Sequence, residues 1–176
     1  IEYKAGRYNK ALELQTKVLY FTEKNFGPDD IETSISLNNL ALLYKQKGLY
    51  SKAETLYLRA LSIREKVLGD HHYLTATSLN NLGQLYKREG LLSKAIPLYK
   101  KALTIYEQTI GPNEPETAAA MNNLAIALQL IGSEEQAEDL LIRALFIKEN
   151  AKGPDHSDTA LALNNLAMLY TKIGSY

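Results

Sequence analysis

The sequence predicts an all-α protein, an α-solenoid of antiparallel hairpins in which each helix A is followed by a helix B. Three observations predict it. Near-identical segments return every 42 residues, apolar residues within each half-repeat fall at helical spacing, and strand signals are missing. The octets LNNLALLY (37–44), LNNLGQLY (79–86), MNNLAIAL (121–128) and LNNLAMLY (163–170) carry the step. Gly48, Gly90, Gly132 and Gly174 keep it, as do Gly27, Gly69, Gly111 and Gly153. Thr33, Thr75, Thr117 and Thr159 share the register, and so do Ala11, Ala53, Ala95 and Ala137. Two glycines 21 residues apart divide each unit into halves of similar length.

The elements follow in order. Residues 1–28 hold a helix B without its helix A, expected at about 9–26, with Gly6 in the column of Gly48. Repeat 29–70 opens on Asp30, a residue suited to an N-cap. Its helix A covers 34–46, where Leu37, Leu40, Ala41 and Tyr44 share one face. Gly48 ends that helix and Gly69 ends helix B (52–68), since glycine takes a left-handed cap without steric cost. Ser51, Ser93 and Asn9 are placed to cap the B helices. Repeats 71–112 and 113–154 copy the pattern, with Pro115 at a first helical turn. Residues 155–176 form a partial repeat with helix A at about 157–173. Hairpins of this kind bury their faces only by stacking on neighbours. The whole of 1–176 therefore reads as a single array and as a fragment of a longer one, in which Ala160, Met168 and Leu169 lack partners.

Leu37, Leu40, Ala41, Tyr44, Gly48, Tyr50, Ala53, Tyr57 and Ala60 resemble the signature of the tetratricopeptide repeat. The NNLA segment, the REKVLG end of helix B (Arg64 to Gly69) and the GPDH turn (Gly153 to His156) resemble its 42-residue kinesin light chain class. The resemblance covers the whole chain. It implies a right-handed superhelix whose A helices line a concave groove and whose B helices form the outer wall. It also implies a ligand that is an extended, acidic peptide with an aromatic anchor.

The helix A wheel locates that groove within the repeat. With Leu37 at zero and about 100° per residue, packed columns take roughly two thirds of the circumference. The remaining stripe holds Lys45, Asn38, Leu42, Ile35, Gln46 and Asn39. The amides of Asn38, Asn80, Asn122 and Asn164 are expected to grip a peptide backbone, since an amide donates and accepts at once. Asn39, Asn81, Asn123 and Asn165 lie at the packed edge and are expected to satisfy a neighbouring helix. Specificity is expected where repeats differ. One variable column reads Leu42, Gln84, Ile126, Met168, and another Gln46, Arg88, Leu130, Lys172. A third begins Lys45, Lys87. Lys45, Lys87 and Arg88 make a basic cluster, and Ile126 with Leu130 an apolar one. An acidic ligand with one apolar residue complements both. The charged B-helix columns (Lys17, Arg59, Lys101, Arg143 and Glu23, Glu65, Glu107, Glu149) are expected to face water or pair locally.

Several functions find no support. Twenty acidic and 20 basic residues give no net charge, so the counterion release that drives duplex nucleic-acid binding is not provided for. No run approaches the roughly 20 apolar residues that span a bilayer. Zero cysteines remove disulfides and thiolate chemistry and fit a reducing, cytoplasmic setting. His71, His72 and His156 lie in turns, where capping is the expected role, so no metal or cofactor is implied. No catalytic constellation appears. The expectation is a non-enzymatic protein-binding module. Its alternative is a scaffold that stacks end to end without a peptide: Tyr176 stands in the repeat position just before Asn9, so a second copy's first helix B can follow the last helix A.

Overall fold

A computed structural model describes the backbone of residues 2–174 and the side chains of residues 7–174. Among the described residues there are eight helices and no strand. They are α1 (Glu2–Phe26), α2 (Ile31–Gln46), α3 (Tyr50–Leu68), α4 (Tyr73–Arg88), α5 (Leu92–Thr109), α6 (Pro115–Leu130), α7 (Glu134–Lys152) and α8 (Ser157–Ile173). Even-numbered helices are the A helices and odd-numbered ones the B helices. By contact the chain divides into two compact units, Ile1–Leu85 and Tyr86–Tyr176.

Each A helix ends at a glycine. The amide of Leu49 reaches back to the Tyr44 carbonyl at 2.9 Å, a six-to-one closure that needs Gly48 at φ 76°. Leu91 and Ser133 repeat the bond to Tyr86 (2.8 Å) and Leu128 (3.0 Å). The closing residue also starts the next helix: Leu49 and Leu91 are the N-caps of α3 and α5, without a side-chain bond. This overturns the expected capping by Ser51 and Ser93, which lie inside the first turns. One residue closes A and opens B, so no separate capping position exists. Asn9 lies inside α1, which is helical from Glu2 and contains Gly6; its Oδ1 accepts from Lys47 Nζ at 2.5 Å.

The B-to-A turn is built differently. Gly69 and Gly153 have φ near 89° but extended ψ (167° and 164°), a region open in practice to glycine alone. The glycine carbonyl is then held by the threonine six residues on. Thr33, Thr75, Thr117 and Thr159 donate to Gly27, Gly69, Gly111 and Gly153 at 2.7, 2.9, 2.7 and 2.8 Å. Each of these threonines is fully buried. N-caps of the A helices vary around this constant. Asp30 accepts from the amide of Glu32 at 2.8 Å, and Pro115 occupies the first turn of α6. His72 and His156 use Nδ1 to accept from the amides of Leu74 and Asp158, each at 3.1 Å.

Within the first unit, Leu37 of α2 packs with Ala60 and Ile63 of α3, and Leu19 and Leu56 close the cluster. Arg64 is buried, donating to Ser34 Oγ, the Leu74 carbonyl and Ser78 Oγ at 2.9–3.0 Å. The second unit buries Tyr99, Ile105, Met121, Leu141 and Leu169. Leu169 is thus covered, against expectation, while Ala160 and Met168 are exposed. Tyr176, expected from the register to lead into a second copy, lies outside the described residues. Alanine columns (Ala53, Ala95, Ala137 and Ala60, Ala102, Ala144) are at 0 % exposure and let the helices approach closely. Neighbouring B helices are tied by matched ion pairs: Arg59 to Glu23 at 2.6 Å in one unit and Arg143 to Glu107 at 2.9 Å in the other. Both pairs are partly exposed, so each contributes little to stability.

Candidate functional site

The stripe left over by packing is built on the A helices of each unit. In the first unit, Asn81 Nδ2 of α4 donates to Asn38 Oδ1 of α2 at 2.8 Å. In the second, Asn165 Nδ2 of α8 donates to Asn122 Oδ1 of α6 at 2.6 Å. The second asparagine of one repeat therefore bonds the first asparagine of the repeat before it. Within each unit the pair laces consecutive A helices and fixes their spacing at the stripe. One such bond uses a fraction of what a carboxamide offers, two donors and two acceptor sites. Asn38, Asn80 and Asn122 are half-buried and Asn164 is exposed, its amide 3.6 Å from the Met168 sulfur.

Around the amides, the variable columns split into two kinds. Leu42 (38 %), Leu130 (61 %) and Met168 (58 %) are exposed apolar side chains, and Ile126 is half-buried. Gln46 and Arg88 are exposed as well. The lysines are more committed. Lys45 is only 6 % exposed; its Nζ donates to Gln84 Oε1 at 2.9 Å and lies 6.0 Å from the centre of the Tyr57 ring. Its place at the edge of the packed arc lets a long stem turn inward, so its charge serves the interior and not the open stripe. Lys87 is half-buried, and burial, followed by the nearby Arg88 charge, holds its ammonium below the usual lysine range. Lys172 is exposed but engaged, donating to the Gln129 carbonyl at 2.5 Å and pairing with Glu134 at 3.0 Å. The expected cluster of three cations is therefore reduced to Arg88 as its exposed member.

Positive charge appears where the wheel did not place it. A cleft of about 310 Å³ in the second unit is lined by Pro115, Ala119, Asn122 and Asn123 of α6 and by Asp158 and Leu161 of α8. The end of α7 closes it with Lys148, Ala151 and Lys152. The sequence carried a signal for this: the column of Lys152 reads Phe26, Leu68 and Ile110 elsewhere, so the cation breaks an apolar column. Among the described residues no group of His, Asp and Glu stands together in a way that could hold a metal ion. No helix among them is long and apolar enough to cross a membrane.

Comparison with known proteins agrees with the helical-repeat fold. The tetratricopeptide repeat pattern matches at residues 1–66, 46–108, 88–150 and 116–176. No curated protein matches the sequence. Among solved structures, BtubC (BKLC) from P. vanneervenii superposes with a TM-score of 0.84 at 26 % identity, over 98 % of this chain and 69 % of that one. A Podosopora anserina protein of nearly identical TPR-like repeats, named after kinesin light chain, gives a TM-score of 0.78 at 24 % identity. That match covers 97 % of this chain and 81 % of the other. A substituted variant of the same Podosopora anserina protein gives 0.80 at 23 % identity, over 97 % and 81 % of the two chains. Repeats of this type serve as protein–protein interaction or scaffold modules. With matches to its repeat pattern along the whole length and kinesin light chain-like neighbours in structure, the chain belongs to the tetratricopeptide repeat family.

Proposed function

We propose that the exposed stripe of the A helices holds an extended segment of a partner protein. The observation that carries this reading is a set of exposed large apolar side chains, Leu42 in the first unit and Leu130 and Met168 in the second, set among amides. Water solvates such side chains poorly, and covering them is favourable at about 25 cal/mol per Å². The amides beside them suit a peptide backbone, whose donors and acceptors alternate. Charge adds the expected chemistry: Arg88, Lys148 and Lys152 favour acidic residues in the ligand, next to one apolar anchor. The groups proposed to meet the ligand are Asn38, Leu42, Gln46, Asn80, Gln84, Lys87, Arg88, Asn122, Ile126, Leu130, Asn164, Met168 and Lys172. Lys45 acts on the same surface indirectly, by positioning Gln84. A reducing, cytoplasmic setting goes with this reading, for a chain without cysteine.

The test is a peptide library displayed against the 176-residue chain, followed by two substitutions. Asn122→Asp keeps an oxygen for Asn165 but removes the amide donors, and Leu130→Ser removes an exposed apolar contact. Acidic peptides with a single large apolar residue are expected to bind, and each substitution to weaken them about tenfold, or about 1.4 kcal/mol. Helical melting is expected to be unchanged. No ligand from the library, or ligands indifferent to both substitutions, would leave the scaffold role in place of the groove.

A further inference from the structure

The cleft at the end of α7 exists because one repeat loses bulk. The columns of Pro115, Ala119 and Ala151 hold Tyr73, Thr77 and Thr109 one period earlier, and Ile31, Ile35 and Val67 two periods earlier. Smaller side chains at these three lining positions leave the space of about 310 Å³, flanked by Leu161 of α8. That volume is at the small end of ligand pockets and takes one large side chain. The same columns are open in earlier repeats: Ile35 and Thr77 are half-buried and Val67 is 51 % exposed, so access comes with the repeat.

Charge enters where the bulk leaves. Lys148 stands in the column of Arg64, whose guanidinium is held by Ser34 and Ser78, each at 3.0 Å. Around Lys148 those serine columns are Ala118 and Ala162, so the cation remains and its hydroxyl acceptors do not. Lys152 replaces the apolar Leu68 and Ile110. Four residues apart, the two lysines share one face of α7. Among the described residues neither ammonium has a hydrogen bond or an ion pair. Asn122 adds amide donors, its Oδ1 being taken by Asn165. Asp158 is the acid on the wall; it lies in the first turn of α8, its carboxylate 3.7 Å from His156 Nδ1.

We propose that this cleft takes a phosphotyrosine side chain of the partner segment, its ring between Ala119, Ala151 and Leu161 and its phosphate on Lys148, Lys152 and the Asn122 amide. The source of that residue rests on the reading of the stripe as a partner surface; the cleft adds its identity. A phosphate carries about 1.5 to 2 negative charges at neutral pH and three strong acceptor oxygens. It matches two ammoniums where a carboxylate matches one. The walls of Ala119, Ala151 and Leu161 reward an apolar body between backbone and anion, which tyrosine has and serine lacks. Asp158 weakens the site, because its carboxylate shares the cleft with the phosphate.

Amide chemical-shift titration of the 176-residue chain with N-acetyl-phosphotyrosine amide tests it. Perturbations are expected at Ala119, Asn122, Ala151, Lys152 and Leu161, with N-acetyl-tyrosine amide and N-acetyl-phosphoserine amide binding at least about tenfold more weakly. Lys148→Met and Lys152→Ala are each expected to weaken the phosphotyrosine probe about tenfold with unchanged helical melting. Asp158→Asn is expected to tighten it, and Lys100→Ala, at an exposed lysine of α5, to change nothing. An equal response to phosphoserine or to inorganic phosphate, binding that survives both lysine substitutions, or shifts spread over surface lysines at large overturns the proposal. The probe needs no peptide groove. A chain that takes the probe and no library peptide refutes the groove and keeps the cleft; one that takes library peptides and not the probe does the reverse.

Discussion

Tyr57 and Tyr99 are fully buried, and among the described residues neither hydroxyl has a hydrogen-bond partner. Burial holds both phenols protonated well above their usual range. The ring fills the core, but the column does not require the oxygen, since the equivalent positions are Gln15 and Leu141. An unpaired buried hydroxyl costs about 1–3 kcal/mol. Tyr57→Phe is therefore expected to stabilise the chain by about 1 kcal/mol, read from the midpoint of urea unfolding. A destabilised variant would show that the hydroxyl has a partner. At this scale the sequence was legible where a residue acts through its backbone turn. The threonines six residues after each glycine stand out by period alone, and all four make the same bond. Lys45 was not legible, because a helical wheel gives the direction of Cβ and not the path of a flexible four-carbon stem. Its ammonium ends on Gln84 and over Tyr57, both distant in sequence.

Helix limits followed from the glycines to within a few residues, except at the start of α1, which runs through Gly6 from Glu2 where a start near Asn9 was expected, and the periodic packing faces followed from their spacing. The caps of the B helices did not follow. The sequence offers Ser51 and Ser93 as capping side chains, but the six-to-one bonds to Tyr44 and Tyr86 pull the helix start back to Leu49 and Leu91. The two glycine columns also look alike in sequence and differ in ψ, because one closes a helix and the other extends into a loop. Within α5, Pro97 stands where Glu13, Thr55 and Asp139 stand in the other B helices. Proline has no N–H for the Ser93 carbonyl and crowds that turn. Pro97→Ala is expected to raise stability by about 1–3 kcal/mol, measured by chemical denaturation with the slope unchanged. An unchanged midpoint would show that the helix is bent to the proline and that its neighbours are packed to the bend.

At the scale of the molecule, the proposed binding stripe arises by subtraction from a repeated hairpin with two asparagines. Most other columns of helix A have a packing task, and the amides both lace consecutive A helices within each unit and edge the stripe that remains. That division was partly visible beforehand: Leu42, Leu130 and Met168 are exposed on the stripe, as their angles suggested. The cleft at Lys148 and Lys152 was not foreseen, because it is closed by the end of a B helix that the wheel of helix A does not contain. The measurement that tests the central claim most directly is amide chemical-shift mapping of the 176-residue chain during titration with a library-selected acidic peptide. The account predicts perturbed amides on α2, α4, α6 and α8, centred on Asn38, Leu42, Asn122 and Leu130, with α3 and α5 silent. Perturbations gathered on α3, α5 and the exposed face of α7 would place recognition on the B helices and contradict it.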